Sequence, residues 1–208
     1  MIAIVDYKAG NLTSVQRALD HLGLASCVTP DPAVVARAER IIFPGVGHAG
    51  TAMAVLKERG LDVALRSAFA AGTPILGTCV GAQIVLSHSE EGDSQCLGLI
   101  AGDCERFRPD DPALKVPHMG WNNVTFTAGR DHPVLRGVPD GAEFYFVHSY
   151  YLRPANPADI YATSSHGVTF PAIIGHGNLI ATQFHSEKSG PVGLALLRSF
   201  ANWNGAPC

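Results

Sequence analysis

Residues 74–83, PILGTCVGAQ, decide the fold, because they combine a buried strand, a sharp turn and the start of a helix. The apolar run over 74–77 is typical of a strand, and the glycines on either side of Cys79 suit a turn too tight for a Cβ. This is the pattern of a nucleophile elbow with cysteine in place of serine. A thiol at the start of a helix is favoured as the thiolate, so Cys79 is the candidate nucleophile. The alternative is a small core cysteine between two packing glycines.

Outward from this segment, apolar strands alternate with helical patterns through the first half of the chain. Strands are expected at residues 2–5, 24–29, 41–43 and 74–77. Helices are expected from residue 11, over 32–37, over 50–71 with an interruption near 60, and from 82. This alternation predicts an α/β fold with a mostly parallel central sheet and helices on both faces.

The second half of the chain has a different character, with short apolar runs separated by Gly, Pro and Asn turns. These runs predict strands at residues 123–126, 143–147, 160–163, 172–174 and 179–184, with a hairpin connection over 176–178. A closing helix is expected over 192–203, with Leu194, Leu197 and Ala201 on one face. No repeat or linker interrupts the chain, so we expect a single domain over 1–208 with a β-rich C-terminal half.

The composition excludes several classes of protein. Hydrophobic residues make up 47% of the 208 residues and charged residues 16%, which is typical of a globular chain and not of a disordered one. The net charge of −3 and the absence of a basic run give nucleic-acid binding no electrostatic support. The charge-free stretch over 67–89 is too interrupted by Gly and Pro to favour a membrane span, and residues 1–6 are too short an apolar run for a signal peptide.

The cysteines and histidines predict neither disulfides nor a metal site. Five cysteines without a CxxC motif indicate reduced thiols and a cytoplasmic location; they are Cys27, Cys79, Cys96, Cys104 and Cys208. No HExxH or paired-cysteine motif is present, so no metal and no cofactor is expected.

A thiolate nucleophile needs a base, and the base needs a group that orients it. Residues 183–189, QFHSEKS, follow the predicted strand that starts at residue 179, and they supply a base and an orienting group. In extended chain, residues two apart point the same way, so His185 and Glu187 can share a face. A lone His-x-Glu pair is typical of solvated surface. Together with the elbow at Cys79, it predicts a Cys-His-Glu triad.

A second glycine motif, GVGHAG at residues 45–50, matches the G-x-G-x-x-G pattern of dinucleotide-binding proteins. It follows the third strand instead of the first, Pro44 ends that strand, and Asp62 lies in a helical stretch where an acidic strand end is needed. A plain βα turn is one alternative. The other is a turn whose backbone N–H groups face an oxyanion that develops beside Cys79.

Cys79, His185 and Glu187 match, in order, the triad of the class I glutamine amidotransferases, and residues 77–83 match the nucleophile motif of that family. Other segments resemble, within this family, the glutaminase subunits of imidazole glycerol phosphate synthases. They are DYxxGN at 6–11, PGVG at 44–47, PHMGWN at 117–122, YFVHSY at 145–150 and QFHxEKS at 183–189. The resemblance covers essentially the whole chain and implies a flavodoxin-like sheet.

The resemblance also implies a reaction, in which the Cys79 thiolate attacks the side-chain amide of L-glutamine and ammonia leaves. The ammonia would pass to a (βα)8 cyclase partner that makes imidazole glycerol phosphate and an aminoimidazole carboxamide ribotide in histidine biosynthesis. It implies oxyanion donors at the backbone of Val46, Gly47 and Val80. It implies glutamine contacts at Gly47, Gln83, Glu91, Ser149 and Tyr150. It implies a partner interface near Asn11, Trp121, Asn122, Tyr145 and Lys188, although core filling is the alternative for Trp121.

The sequence departs from the family pattern at a few positions. Ser186 stands where the family usually has Pro, which loosens the triad loop. Smaller residues stand around the nucleophile, at Thr78, Val80 and Ala82. None of these changes removes a reacting group. The alternatives are a free-standing cysteine amidase, a paralogue that feeds ammonia to a different synthase, and a dinucleotide-binding module.

Overall fold

The first hundred residues form the alternating strands and helices that the apolar pattern predicts. The computed structural model describes residues 1–8, 10–129 and 131–206. The elements of this half are β1 (Ile2–Val5), α1 (Leu12–His21), β2 (Ser26–Thr29), α2 (Pro32–Ala36), β3 (Arg40–Gly45), α3 (Ala49–Glu58), α4 (Leu61–Ala70), β4 (Ile75–Cys79) and α5 (Val80–Gln83).

The rest of the chain is mainly strands, as predicted, and ends in one long helix. The strands are β5 (His88–Ser89), β6 (Ser94–Gln95), β7 (Gly102–Arg106), β8 (His118–Asn123), β9 (Thr125–Phe126), β10 (Glu143–His148), β11 (Tyr150–Pro154), β12 (Ile160–His166), β13 (Val168–His176) and β14 (Leu179–Thr182). The last helix is α6 (Gly190–Asn202). Three 3-10 turns cover Pro133–Leu135, Pro157–Asp159 and Ser186–Lys188.

The main sheet has eight strands in the order β2-β1-β3-β4-β14-β13-β12-β9. The five strands from β2 to β14 are parallel, and β13, β12 and β9 continue the sheet in antiparallel pairing. The predicted hairpin is confirmed, because His176 pairs with Leu179 across a two-residue connection. The predicted parallel sheet is thus extended by the β-rich half into a mixed sheet. Two smaller sheets, β10-β8 and β11-β7-β5-β6, lie beside it.

Both faces of the sheet are covered by apolar side chains. One core cluster packs α3 and α4 on the face that carries Val5 and Phe43, and the other packs α1 and α6 on the face that carries Ile4 and Ile42. Every residue of β1 and of β4 is buried. Strands covered on both faces need apolar residues at consecutive positions, which explains the continuous apolar runs in the sequence.

The buried face of the closing helix differs from the prediction. Gly193, Leu196, Leu197 and Phe200 are buried in α6, whereas Leu194 and Ala201 are only partly buried. Of the predicted face, only Leu197 is therefore correct. Two overlapping apolar stripes run along this helix, and the stripe that contains the large Phe200 ring is the one that packs against the core.

The helix expected from residue 82 is also shorter than predicted. It begins at Val80 and ends after one turn at Gln83. The backbone carbonyls of the next three residues accept hydrogen bonds from the backbone N–H groups of residues 97–100. The backbone N–H of Ser87 in turn donates to the Gly102 carbonyl and not to Gln83, so the helical ladder ends here.

The membrane and thiol predictions are both tested by the structure. Within the described ranges, no helix is long and apolar enough to cross a bilayer. The thiols of Cys27, Cys79, Cys96 and Cys104 are free. Cys208 lies outside the described residues.

Candidate active site

Cys79 is held at the end of β4 in an unusual backbone conformation, with φ of 54° and ψ of −111°. A Cβ on Gly81 would lie 1.9 Å from the carbonyl oxygen of Phe43, and one on Gly77 would lie 3.2 Å from the Cβ of Ala181. The first contact is impossible and the second is tight, so glycine is required at 81 and favoured at 77. The predicted sharp turn around the cysteine is confirmed.

The helix after Cys79 contributes less to the thiolate than the sequence indicates. A macrodipole grows with the number of aligned peptide units, and α5 has a single turn. Other hydrogen-bond donors or positive charges near the sulfur therefore matter more than the predicted helix dipole.

His185 and Glu187 form a buried pair beside the Cys79 strand. Nδ1 of His185 lies 2.8 Å from Oε1 of Glu187, and both side chains are 2% exposed. Asn11, in the left-handed conformation before α1, donates its side-chain N–H to the same oxygen. An ionised carboxylate can only accept, so Nδ1 carries a proton in both forms of the ring, and Nε2 is the nitrogen that gains or loses the second proton.

Strand order brings this pair to the sulfur. β14 lies directly beside β4 in parallel register, with Thr182 opposite Thr78, so Cys79 and His185 follow at the same edge of the sheet. Burial by itself would lower the pKa of His185, but hydrogen bonding and the negative charges of a Cys79 thiolate and of the Glu187 carboxylate outweigh it and raise this pKa to about 10. Nε2 is buried and has no hydrogen bond of good geometry within the described ranges, although it is close enough to the thiol for this effect.

Cys79 and His185 line one cavity of about 290 Å³, close to the lower limit of small-molecule sites, which is roughly 300 Å³. Most of the predicted oxyanion and glutamine-contact residues lie on its wall, namely Val46, Gly47, Val80, Glu91, Ser149 and Tyr150. Pro117, Val147 and His148 complete the wall.

Two predicted glutamine contacts already have partners within the chain. Gln83 is buried behind the cavity wall instead of lining it, and its Nε2 donates to the Tyr150 carbonyl at 3.1 Å. Glu91 lines the cavity, but its Oε2 accepts the backbone N–H of Ala49 at 2.7 Å. Glu91 therefore anchors the start of α3 next to the turn that contains Gly47.

Packing favours glycine at 45 and at 50, where a Cβ would lie 2.8 Å from Oγ of Ser94, and a positive φ favours it at 47. A Cβ on Gly45 would lie 2.1 Å from the Tyr7 hydroxyl, and Gly47 has φ of +100°. The helix start where a pyrophosphate would bind carries the Glu91 carboxylate instead, which would repel it. The structure therefore favours a turn that packs against the nucleophile elbow over the dinucleotide alternative.

The predicted interface residues occupy two kinds of surroundings. Trp121 is 55% exposed and contacts Tyr145 edge to face at 6.0 Å, and Nζ of Lys188 lies 5.8 Å from the Tyr145 ring centre. Core filling by Trp121 is therefore wrong, because an exposed ring contributes little to a core. Asn122 and Asn11 instead use their amides within the chain, on His118 and on the Glu187 carboxylate.

The loop between His185 and Glu187 stays ordered in the absence of proline. Ser186 is 1% exposed and starts the one-turn helix Ser186–Lys188. Ser189 ties this turn down, since its hydroxyl donates to the His185 carbonyl at 2.6 Å. Packing thus replaces the backbone restriction that proline would supply.

Sequence reasoning missed two polar residues at this site. His148 lies on the cavity wall, and Gln183 places its Nε2 4.0 Å from Sγ of Cys79. For His148 a signal was available, because inward residues of β10 alternate from Phe144 through Phe146 to His148. Gln183 gave no signal beyond its place in the QFHxEKS segment. Nowhere in the described ranges do three His, Cys, Asp or Glu side chains group to hold a metal ion.

Comparisons with known proteins identify the family. The family model "Glutamine amidotransferase class-I" matches residues 3–202. The chain is 52% identical over 206 residues to the imidazole glycerol phosphate synthase subunit HisH of Nitratidesulfovibrio vulgaris (strain DSM 19637 / Miyazaki F), covering 96% of this chain and 95% of that protein. It is 49% identical over 205 residues to the HisH subunit of Desulfovibrio desulfuricans, covering 96% and 93%.

Solved structures at low identity share the fold. A crystal structure of a glutamine amidotransferase matches this chain with a TM-score of 0.77 at 19% identity. The match covers 99% of this chain and 100% of that chain. PurLQS from Thermotoga maritima has a TM-score of 0.75 at 18% identity, covering 97% of each chain. Because the family model spans nearly the whole chain and the relatives match along nearly their full lengths, the chain belongs to the class I glutamine amidotransferase family, in the group of imidazole glycerol phosphate synthase HisH subunits.

Proposed function

We propose that this chain is the glutaminase subunit of an imidazole glycerol phosphate synthase, with Cys79, His185 and Glu187 as its catalytic triad. The observation that carries the proposal is the buried His185–Glu187 pair, 2.8 Å apart, whose imidazole lines the same cavity as Cys79. A general base with a fixed tautomer beside a strained nucleophile is the arrangement that acyl transfer requires.

In the proposed reaction, Nε2 of His185 takes the thiol proton and the sulfur of Cys79 attacks the side-chain carbonyl carbon of L-glutamine. Backbone N–H groups of Val46 or Gly47 and of Val80 stabilise the oxyanion. The C–N bond then breaks, His185 returns the proton to the leaving nitrogen, and ammonia departs from a glutamyl thioester. Water, deprotonated by His185, hydrolyses the thioester to glutamate and regenerates the thiol.

Recognition of the amino-acid end of glutamine is proposed for the opposite wall of the cavity. Glu91 brings a carboxylate that suits the α-ammonium group, and Ser149 and Tyr150 bring polar atoms nearby. We propose an indirect role for Gln83, which supports the wall from behind through the Tyr150 carbonyl.

We further propose that the ammonia passes to a (βα)8 cyclase subunit that forms imidazole glycerol phosphate and an aminoimidazole carboxamide ribotide. The proposed contact surface includes Met119, 64% exposed, and Trp121, 55% exposed, with Tyr145 and Lys188 beside them. The backbone N–H of His185 donates to the Tyr145 carbonyl at 2.9 Å, so a partner bound to this surface would touch a strand attached to the triad. A cytoplasmic location is part of the same proposal and is checked by cell fractionation.

The test is Cys79→Ala in a complex of this chain with a cyclase subunit, assayed with glutamine and separately with ammonium salt. We expect loss of glutamine-dependent synthesis and retention of ammonia-dependent synthesis. Cys27→Ala, at a half-buried thiol on β2, is the matched control and should retain both.

Three results would contradict the proposal. Loss of both activities in Cys79→Ala would indicate a structural role for this thiol. Full glutaminase activity of the chain without any cyclase would favour a free-standing amidase. Glutamine hydrolysis that no cyclase stimulates, with stimulation by a different synthase, would favour the paralogue.

A further inference from the structure

In and behind the cavity wall, buried polar side chains that the proposed reaction does not use form a continuous network of hydrogen bonds. Nε2 of Gln83 donates both to the Tyr150 carbonyl at 3.1 Å and to Oε1 of Gln183 at 3.3 Å, and Nε2 of Gln183 faces Sγ of Cys79 at 4.0 Å. On the other side, Nδ1 of His148 lies 2.8 Å from the same Tyr150 carbonyl. All three side chains, Gln83, Gln183 and His148, are at most 5% exposed.

Only one assignment of the ring protons fits the hydrogen bonds of the two histidines in this network. Burial lowers the pKa of His148 to about 3 and that of His118 to about 4, so both rings are neutral near pH 7 and each carries one proton. A carbonyl can only accept, so the His148 proton lies on Nδ1, and its Nε2 accepts from Nδ1 of His118 at 2.9 Å. Nε2 of His118 then accepts from the amide of Asn122 at 3.2 Å.

The direction of the hydrogen bonds, from donor to acceptor, is also fixed for the two glutamines between Tyr150 and the sulfur. Because the Tyr150 carbonyl accepts, Gln83 turns its NH2 group toward it, and the second hydrogen of that group goes to the oxygen of Gln183. The NH2 group of Gln183 is therefore the end that faces Cys79. An N–H dipole directed at sulfur stabilises the thiolate and not the thiol.

We propose that Gln183 supports the Cys79 thiolate through its side-chain N–H, and that Gln83 and the His148–His118 pair are positioning residues that hold this amide in the required orientation. The inference rests on the proposed role of Cys79 as nucleophile and adds to it a source of thiolate stabilisation. This N–H adds to the attraction of the protonated His185 ring, whereas the one-turn helix α5 contributes only a weak dipole.

Other ionisable groups also face the sulfur and must be held constant in a test. They are His185, Glu91 and His148 on the cavity wall, the buried Tyr7 hydroxyl beside β3, and the buried Cys104 thiol on β7. None of them is altered by a substitution at Gln183.

The experiment measures the rate of alkylation of Cys79 by iodoacetamide from pH 5 to 10 in the full chain, with the Cys79 peptide followed by mass spectrometry. Gln183→Leu removes the N–H at similar size, and we expect the pH midpoint to rise by about one unit. Gln183→Glu keeps the shape and places an oxygen toward the sulfur, so the midpoint should rise further. Thermal melting checks that each variant is folded. If only one of Gln183→Leu and Gln183→Glu folds, that variant alone tests the inference.

The orienting role of the histidines is tested separately with His148→Phe, which removes the donor to the Tyr150 carbonyl. We expect a rise in the midpoint that is smaller than for Gln183→Leu. His132→Phe is the matched control, because His132 is equally buried but packs on Tyr161 and Trp203, away from the cavity. Its midpoint should equal that of the parent.

Two outcomes would overturn the inference. An unchanged midpoint in folded Gln183→Leu or Gln183→Glu would mean that the amide does not support the thiolate. Equal shifts in His148→Phe and His132→Phe would mean that the hydrogen-bond network has no specific effect. Alkylation requires no turnover and no partner, so a parent chain with a reactive Cys79 that shows no glutaminase activity even in complex with a cyclase subunit would contradict the proposed function and not this inference.

Discussion

Replacing Glu187 by glutamine separates the two effects of this carboxylate, namely orientation of His185 and stabilisation of its charge. Oε1 of Glu187 accepts both from His185 and from Asn11. The Oε1 of a glutamine at 187 can still accept from both donors, so the proton should stay on Nδ1 and Nε2 should remain the base. Only the negative charge is lost.

The size of the effect follows from burial. The two side chains are 2% exposed and 2.8 Å apart, so the bond is barely screened by water. A hydrogen bond to a charged partner contributes about 1.5–3 kcal/mol, which corresponds to about 1–2 pKa units. We therefore expect the pKa of His185 in Glu187→Gln to fall from about 10 to about 8–9, with Cys79 still in place.

The sign of the pH dependence is set by the direction of this shift. The pKa of His185 is raised on folding from an ordinary value of 6.5 to about 10, so the stability from its charged form is fully present below pH 6.5 and is lost as the pH rises through about 10. In Glu187→Gln this loss should begin at the same pH but be complete at lower pH, near the reduced pKa of about 8–9. NMR titration of the His185 ring and urea unfolding between pH 6 and 10 measure the two quantities.

Glutaminase activity gives the third measurement of the same substitution. We expect Glu187→Gln in the cyclase complex to lose about 10–100-fold in rate, and His185→Ala to lose about 10²–10⁴-fold, because the latter removes the base. Glu105→Gln, which alters a carboxylate paired with Arg153 on the smaller sheet, should be neutral. The reasoning would be refuted if Glu187→Gln were as inactive as His185→Ala, or if the pKa of His185 did not change.

Two further predictions concern the packing behind the nucleophile. Gly81→Ala should lower the free energy of unfolding by about 3 kcal/mol and remove glutaminase activity, because the new Cβ would lie 1.9 Å from the Phe43 carbonyl oxygen. Gly177→Ala, in open space at φ of +57°, should cost only about 1 kcal/mol and keep activity; equal losses would contradict the packing argument. Tyr7→Phe should raise the melting temperature by about 2–4 °C, because the buried hydroxyl has no hydrogen-bond partner in the described ranges. The control Tyr151→Phe loses a real hydrogen bond and should be destabilising, and a lower melting temperature for Tyr7→Phe would show that its hydroxyl is also bonded.

Much of the fold could be predicted because its signals are local. The continuous apolar runs over β1, β3 and β4 predict strands covered on both faces, and the two-residue connection between β13 and β14 predicts a hairpin. The wrong details are the ones that depend on distant contacts. The helix after Cys79 ends at Gln83, where the backbone of the next residues pairs with distant segments such as residues 97–100. Helix α6 buries Phe200 because this ring packs in the core against the sheet.

The candidate triad shows the same division. The glycines around Cys79 and the two-residue spacing of His185 and Glu187 are properties of short segments, and these segments alone indicate an elbow and an oriented base. Their separation of about a hundred positions says nothing about distance; the adjacency of β4 and β14 in the sheet supplies it.

The amino-acid sequence by itself determined which segments are strands and helices and which residue types could act as nucleophile, base and orienting group. Residue size, backbone preference and hydrophobic period act within a few positions, so they can be read directly from the chain. Only the tertiary structure decided that Gln183 faces the sulfur, that Gln83 donates to the Tyr150 carbonyl and that Asn11 donates to the Glu187 carboxylate. These contacts join residues 67 to 176 positions apart, and strand order and side-chain packing, not local spacing, bring them together.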